Sequence, residues 1–237
     1  MSSPHDRLVL VCGTGTEVGK TWVAARLLDE LRERGLTVAA RKPAQSFDVD
    51  LEADRLGERT DAEVLAQASG EDPDVVCLPA RSYHRAMAPP MAAEVLGLPP
   101  FTVGDLADEL RWPEPPVAVG LVETAGGVRS PQASDGDVVD LGRLLAPQIV
   151  LLVADAGLGT INGVRLSAEA LSPLVGDSST PVRAQGASRL IVALNRFDEE
   201  HDIHRRNRQW LAERNGFEVV TLPGGAPYLA NLVMKDS

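Results

Sequence analysis

Apolar residues in this chain fall mostly into short unbroken runs rather than strict alternation. Residues 8–12, 38–41, 117–122, 149–154, 190–194 and 217–222 are rich in Val, Ile, Leu and Ala. Several contain only apolar residues, as expected of strands covered on both faces in a parallel sheet. Between these runs the spacing changes to the helical period, at 21–34, 62–69, 103–111, 138–145, 163–174 and 204–215. Gly35, Gly70 and Gly216 follow three of those stretches as stop signals. Strands alternating with helices predict an α/β fold, a parallel sheet flanked by helices on both faces. No repeat is present, and 172–188, with its Pro, Gly and Ser, reads as an exposed loop rather than a linker. Residues 1–237 are therefore read as a single domain. In a sheet of this kind ligands gather at the carboxyl ends of the strands, so the polar residues just past each run become the candidates for chemistry.

The first of these ends is the most informative. The run 8–12 leads directly into Gly13-Thr14-Gly15-Thr16-Glu17-Val18-Gly19-Lys20-Thr21, which opens the first helical stretch. A strand feeding a Gly-rich turn that ends in Gly-Lys-Thr is the layout of a phosphate-binding loop, as in P-loop NTPases. Backbone N–H groups crowd around an anion at the positive end of a helix. Lys20 is placed to reach the terminal phosphates, and the Thr21 hydroxyl to bind Mg²⁺. In the usual form four residues separate the first Gly from Gly-Lys; here Thr14 takes the place of that Gly, and Gly13 lies one residue earlier.

Other strand ends add polar groups. Lys42, fixed by Pro43, follows the second run. It is either a second cation for transferring phosphates or an ordinary surface lysine. Glu123 ends the third run and begins Glu123-Thr124-Ala125-Gly126-Gly127, an acid suited to Mg²⁺ followed by glycines that let backbone approach a substrate. Asp155 opens Asp155-Ala156-Gly157-Leu158-Gly159-Thr160-Ile161-Asn162, a second anion-binding corner in which Asp155 reads first as a cap for the next helix. Asn195-Arg196-Phe197-Asp198 resembles the base-reading Asn-Lys-x-Asp element of GTP-binding proteins, with Arg in place of Lys. Residues 198–204 contain acids and histidines, but their spacing fits a solvated helix start better than a metal cluster. His84 reads as a loop residue.

Composition narrows the function classes. A formal charge of −11 opposes unspecific binding to nucleic acid or anionic membranes. Two cysteines, Cys12 and Cys77, give no disulfide framework and fit a reducing cytoplasm. No apolar run reaches membrane-spanning length, and the first residues lack a signal-peptide layout.

Taken in order, these segments resemble the dethiobiotin synthetase family, ATP-dependent enzymes that close the ureido ring in biotin synthesis. The resemblance runs from about Leu8 to Asn195. It is carried by Gly13–Thr21, Lys42-Pro43, Thr60-Asp61-Ala62, Met87-Ala88-Pro89-Pro90, Glu123–Gly127 and Asp155–Asn162. It implies ATP and Mg²⁺, a diamine substrate with CO₂ or bicarbonate, and a cytoplasmic homodimer. By the same resemblance Thr21, Asp61 and Glu123 hold Mg²⁺. Gly15, Thr16, Glu17, Val18, Gly19, Lys20 and Thr21 take the phosphates, and Asn195 reads the base. Lys20 and Lys42 clamp phosphate and carbamate, while Thr16, Ser46 and Gly126 complete the wall. Gly159, Thr160 and Asn162 bind the substrate carboxylate across the dimer interface. The family usually has Gly at Thr124 and His at Gly163. Thr124 is expected beside the reacting centre and Gly163 near the carboxylate site, so a sister ligase acting on another amine stays open. A nucleotide-switched ATPase of the partitioning type shares the fold but carries an extra Lys near the loop's start, where this chain has Gly13-Thr14-Gly15. A cobyrinate-type synthetase would need a further glutaminase domain.

Overall fold

A computed structural model describes residues 4–48, 59–175 and 188–235. Its centre is a six-stranded sheet built from β1 (His5–Gly13), β2 (Val38–Arg41), β5 (Val117–Glu123), β6 (Ile149–Asp155), β7 (Arg189–Asn195) and β8 (Val219–Thr221). The strand order is β2-β5-β1-β6-β7-β8, and every neighbouring pair is parallel. Alternation in β1 shows why the runs are apolar throughout. Val9 and Val11 join one core layer, and Leu8, Leu10 and Cys12 join the other. The first layer is closed by α1 (Lys20–Glu33), α2 (Asp61–Ser69) and α9 (Ala226–Met234). The second is closed by α6 (Val138–Leu145) and α7 (Thr160–Val175). A sheet apolar on both faces is thereby covered on both.

Smaller elements lie over the carboxyl edge. β3 (Gln45–Ser46) and β4 (Ser82–Tyr83) form a separate parallel pair, and α3 (Pro73–Val76), α4 (Pro89–Val95) and α5 (Val103–Glu109) complete this side. Their core gathers Ala44, Tyr83, Phe101 and Leu106. None of β3, β4, α3, α4 or α9 shows in the hydrophobic pattern. Two-residue strands carry no period, and α9 is apolar around much of its surface.

The helix expected at 103–111 ends at Glu109. That expected at 204–215 is α8 (Asp202–Gln209) continued by a wider π-type turn, Trp210–Arg214. The loop expected at 172–188 is helical to Val175, through Pro173, and 176–187 lie outside the described residues.

β2 is an edge strand, and its exposed side is closed by Glu71. One carboxylate oxygen accepts from Ala40 N–H at 2.8 Å, and the other pairs with the buried Arg41 guanidinium at 2.8 Å. This brace fixes the end of β2 from which Lys42 departs. Among the described residues, no helix is long and apolar enough to cross a membrane.

Candidate active site

All six strands run the same way, so Gly13, Lys42, Glu123, Asp155 and Asn195 arrive at one edge of the sheet. The loop after β1 is held from outside through its carbonyls. Val128 N–H donates to Gly13 at 3.1 Å, Lys20 Nζ to Gly15 at 3.1 Å, Arg196 to Glu17 at 2.9 Å and Asn195 Nδ2 to Val18 at 3.0 Å. No N–H of residues 15–19 donates within the protein among the described residues. A loop whose carbonyls are engaged and whose amides are not is built to receive an anion. Gly19 has φ +87°, and a Cβ there would lie 2.1 Å from Asn195 Nδ2, so glycine is required on both counts.

Beside the loop stands a compact charge cluster. Thr60 caps α2 through a reciprocal pair with Glu63, which presents Asp61 at the helix start. The Thr21 hydroxyl donates to Asp61 Oδ1 at 2.7 Å or to Glu123 Oε1 at 2.9 Å. Lys42 Nζ sits between the same two acids, 2.7 Å from Asp61 Oδ2 and 2.5 Å from Glu123 Oε1. Lys42 is 2% exposed and Glu123 wholly buried, so Lys42 is no surface lysine. Burial alone would push Lys42 down, but the carboxylates of Glu123 and Asp61 outweigh it and hold the ammonium above its ordinary range. Burial opposes ionisation of Asp61 as well, yet Lys42 brings its carboxyl below the usual value. Burial pushes Glu123 up against the pull of Lys42. With the ammonium touching both acids, the charged pair is the arrangement the geometry supports. Lys20 is lowered, by burial first and then by the nearby Lys42.

Lys20, Thr21, Lys42 and Asp61 border a cavity of about 810 Å³, a size suited to a small-molecule site, whereas Gly15, Val18, Asn195 and the wholly buried Glu123 are not among its lining residues. Thr16, Lys20, Thr21, Lys42, Ser46, Asp61 and Gly126 line it as the sequence suggested, and Ser46 also donates to the Met87 carbonyl at 2.5 Å. Trp22, Gln45, Arg59, Ser130 and Arg196 line it too. Gln45 could not have been found from a motif; it cross-braces the wall, accepting from Ala62 N–H and donating to Ser82 Oγ, each at 3.0 Å.

Two expectations change. Thr124 does not face the reacting centre: it is wholly buried, and its hydroxyl donates to the Val11 carbonyl at 3.1 Å. Asp155 does not cap α7, which begins five residues later. It holds the intervening turn, accepting from Gly157 N–H at 2.8 Å and pairing with Arg196 at 3.0 Å. Gly159, Thr160 and Asn162, expected at a site shared across a dimer interface, do not line this chain's own cavity. Gly163 abuts Thr14 at the start of the phosphate loop, where a Cβ would lie 3.5 Å from the Thr14 Cβ. At 198–204 the residues build a helix start: Asp198 Oδ1 accepts from Glu200 N–H at 2.9 Å, and Asp202 pairs with Arg205 and Arg206. His84 is exposed, its ring packed edge-on against Phe47.

The family profile described as an AAA domain matches residues 7–234. An ATP-dependent dethiobiotin synthetase of Rhodococcus jostii is 37% identical over 94% of this chain and 89% of its own length. The enzyme of the same name from Haloferax mediterranei is 36% identical over 92% of this chain and 84% of its own. The chain belongs to the ATP-dependent dethiobiotin synthetase family. That of Parafrankia sp. is 40% identical over 70% of this chain and 66% of its own length. Membership makes this chain an ATP-dependent ligase of biotin synthesis. A solved plasmid partition protein from Borrelia burgdorferi superposes with a TM-score of 0.50 at 14% identity, covering 97% of this chain and 96% of that one. At that identity the likeness speaks for the fold alone.

Proposed function

We propose that this cavity converts 7,8-diaminononanoate, CO₂ and ATP into the cyclic urea of dethiobiotin. The observation that carries the assignment of roles is Lys42, buried between Asp61 and Glu123 beside the phosphate loop. One amine of the diamine takes up CO₂ to give a carbamate. A carbamate oxygen attacks the terminal phosphorus of ATP, releasing ADP and forming a mixed anhydride. The second amine then attacks the carbamoyl carbon and expels phosphate as the ring closes. The carbamate oxygen is already a nucleophile, so the protein's work is positioning and charge neutralisation. Loop amides from Gly15 to Gly19 and Lys20 hold the triphosphate. Lys42 offsets charge where carbamate and terminal phosphate meet, and Thr16, Ser46 and Gly126 form the surrounding wall.

The residues also fit Mg²⁺. Thr21, Asp61 and Glu123 offer the hard oxygen donors this ion takes, and Glu123 Oε2 is buried without any hydrogen-bond partner among the described residues. Mg²⁺, when bound, neutralises phosphate oxygens and orients them. Asn195, whose Nδ2 donates to the Val18 carbonyl, is assigned the reading of the base edge through its remaining amide atoms. The turn Gly159–Asn162 serves the substrate carboxylate of a second copy in a homodimer. Its support is the position outside this chain's own cavity and Leu158, 90% exposed at the turn's tip.

The test is ADP release that depends on both the diamine and bicarbonate, with mass detection of the cyclic urea. Hydrolysis indifferent to the diamine, with no urea formed, would overturn the assignment.

A further inference from the structure

Arg196 is a cavity-lining side chain that the reaction above leaves without a task although the protein holds it on two sides. Its backbone is left-handed, φ 54°, a conformation that non-glycine residues keep only when surrounding contacts impose it. Two edges of the guanidinium are fixed, one on Asp155 Oδ2 at 3.0 Å and the other on the Glu17 carbonyl at 2.9 Å. Glu17 is itself left-handed, at φ 60°. Asp155 is held in turn by Gly157 N–H. The N–H donors of a guanidinium point outward in its plane, so these two bonds engage its edges rather than its flat faces. The side chain remains 58% exposed and borders the cavity beside Glu17 and Gly19.

The strand order says what lies against that face. Lys42 and Glu123 come from β2 and β5, on one side of β1, while Asp155 and Arg196 come from the ends of β6 and β7, on the other. A triphosphate laid across the end of β1 with its terminal group at Lys42 therefore directs its nucleoside toward β7. We propose that Arg196 is a stacking platform for the nucleobase, gripped at its edges so that its flat face meets the ring. Arginine stacks well on aromatic rings, and a face contact is indifferent to the pattern of ring substituents. The contact made by Arg196 thus holds bases by area, purines more tightly than pyrimidines, and leaves discrimination by identity to Asn195. This rests on the reading of the cavity as a nucleoside triphosphate site.

Direct binding of ATP, GTP, CTP and inorganic tripolyphosphate to the wild type, Arg196→Ala and Arg196→Lys separates the contributions. Arg196→Ala is expected to weaken ATP and GTP by roughly three- to tenfold and CTP by less, the scale of a partly exposed cation–π contact. Tripolyphosphate, which has no base, should bind both variants as it binds the wild type, and this also reports that the loop is folded. Arg196→Lys, lacking a flat face, should lose nearly as much as Arg196→Ala. Equal weakening of tripolyphosphate would mean that Arg196 acts only by shaping the loop through Glu17, and would overturn the stacking role. Unchanged nucleotide binding in both variants would overturn it too. A wild type that binds tripolyphosphate but no nucleotide would remove the nucleotide reading itself, and this proposal with it.

Discussion

Replacing Lys42 with Met keeps the length of the side chain and removes the charge, leaving Glu123 buried against Asp61 with no cation between them. The two contacts differ in weight. Asp61 is 44% exposed and can be solvated, so its loss of a partner costs little. Glu123 is 0% exposed, so its charge is stranded. Removing one partner of a buried ion pair costs about 3–5 kcal/mol. For a chain of this length, with about 2–4 °C per kcal/mol, the lower figure already gives a fall of ~6–12 °C in Tm without Mg²⁺. Excess Mg²⁺ should restore part of this in Lys42→Met, because a divalent cation bound by the same carboxylates replaces the missing charge. Turnover should drop by about a hundredfold or more, the scale of losing one preorganised charge donor, while ATP affinity changes little because Lys20 and the loop amides remain. Thermal unfolding with and without Mg²⁺, paired with ADP release, reads both quantities. A Tm within about 2 °C of wild type, or turnover within a few-fold, would refute the placement of Lys42 at the charge centre.

Glu123→Gln and Asp61→Asn should each raise the Mg²⁺ concentration for half-maximal ADP release, since an amide is a poorer ligand for a hard cation; an unchanged requirement in both would remove them from the metal site. Gly19→Ala should weaken ATP by at least about tenfold, or 1.4 kcal/mol, because left-handed backbone disfavours Ala and the new Cβ strikes Asn195; calorimetric titration gives the answer, and near-normal affinity would mean the loop tolerates rearrangement. Thr124→Gly should lower stability by about 1–3 kcal/mol, from a lost buried hydrogen bond and added chain entropy. Its kcat/KM for the diamine should stay near wild type, and a marked change in amine preference would contradict the inward placement of this hydroxyl.

What could be read from the chain follows from where its chemistry is concentrated. Gly13 to Thr21 is contiguous, so its role needs only one strand and one helix to be recognised. Lys42 and Glu123 were visible as polar residues at the ends of apolar runs, but their contact depends on β2 and β5 being neighbours in the sheet, which no local pattern states. Thr124 was misplaced for a simpler reason: side chains alternate along an extended chain, and with Glu123 turned toward Thr21 the next residue turns away into the core. Gln45 and Arg59 had no signal at all, because a wall residue acts through its position and not through a motif.

The charges around Lys42 give a physical reason for the Mg²⁺ dependence proposed for this site. Lys20 and Lys42 are set against Asp61 and Glu123, two of each sign, within a protein whose formal charge is −11. The cluster is thus nearly neutral by itself and offers no surplus field to hold a triphosphate and a carbamate side by side. A more basic cavity would bind the phosphates harder in every state, which lowers KM without favouring the transition state. On the proposed function, keeping the two acids would tie the missing positive charge to Mg²⁺ supplied with the nucleotide, so full neutralisation would exist only with the phosphates in place. The burial of Glu123 fits the same proposal. An acid wholly shielded from water holds its cation strongly when one is present, and Lys42 keeps it charge-paired when none is.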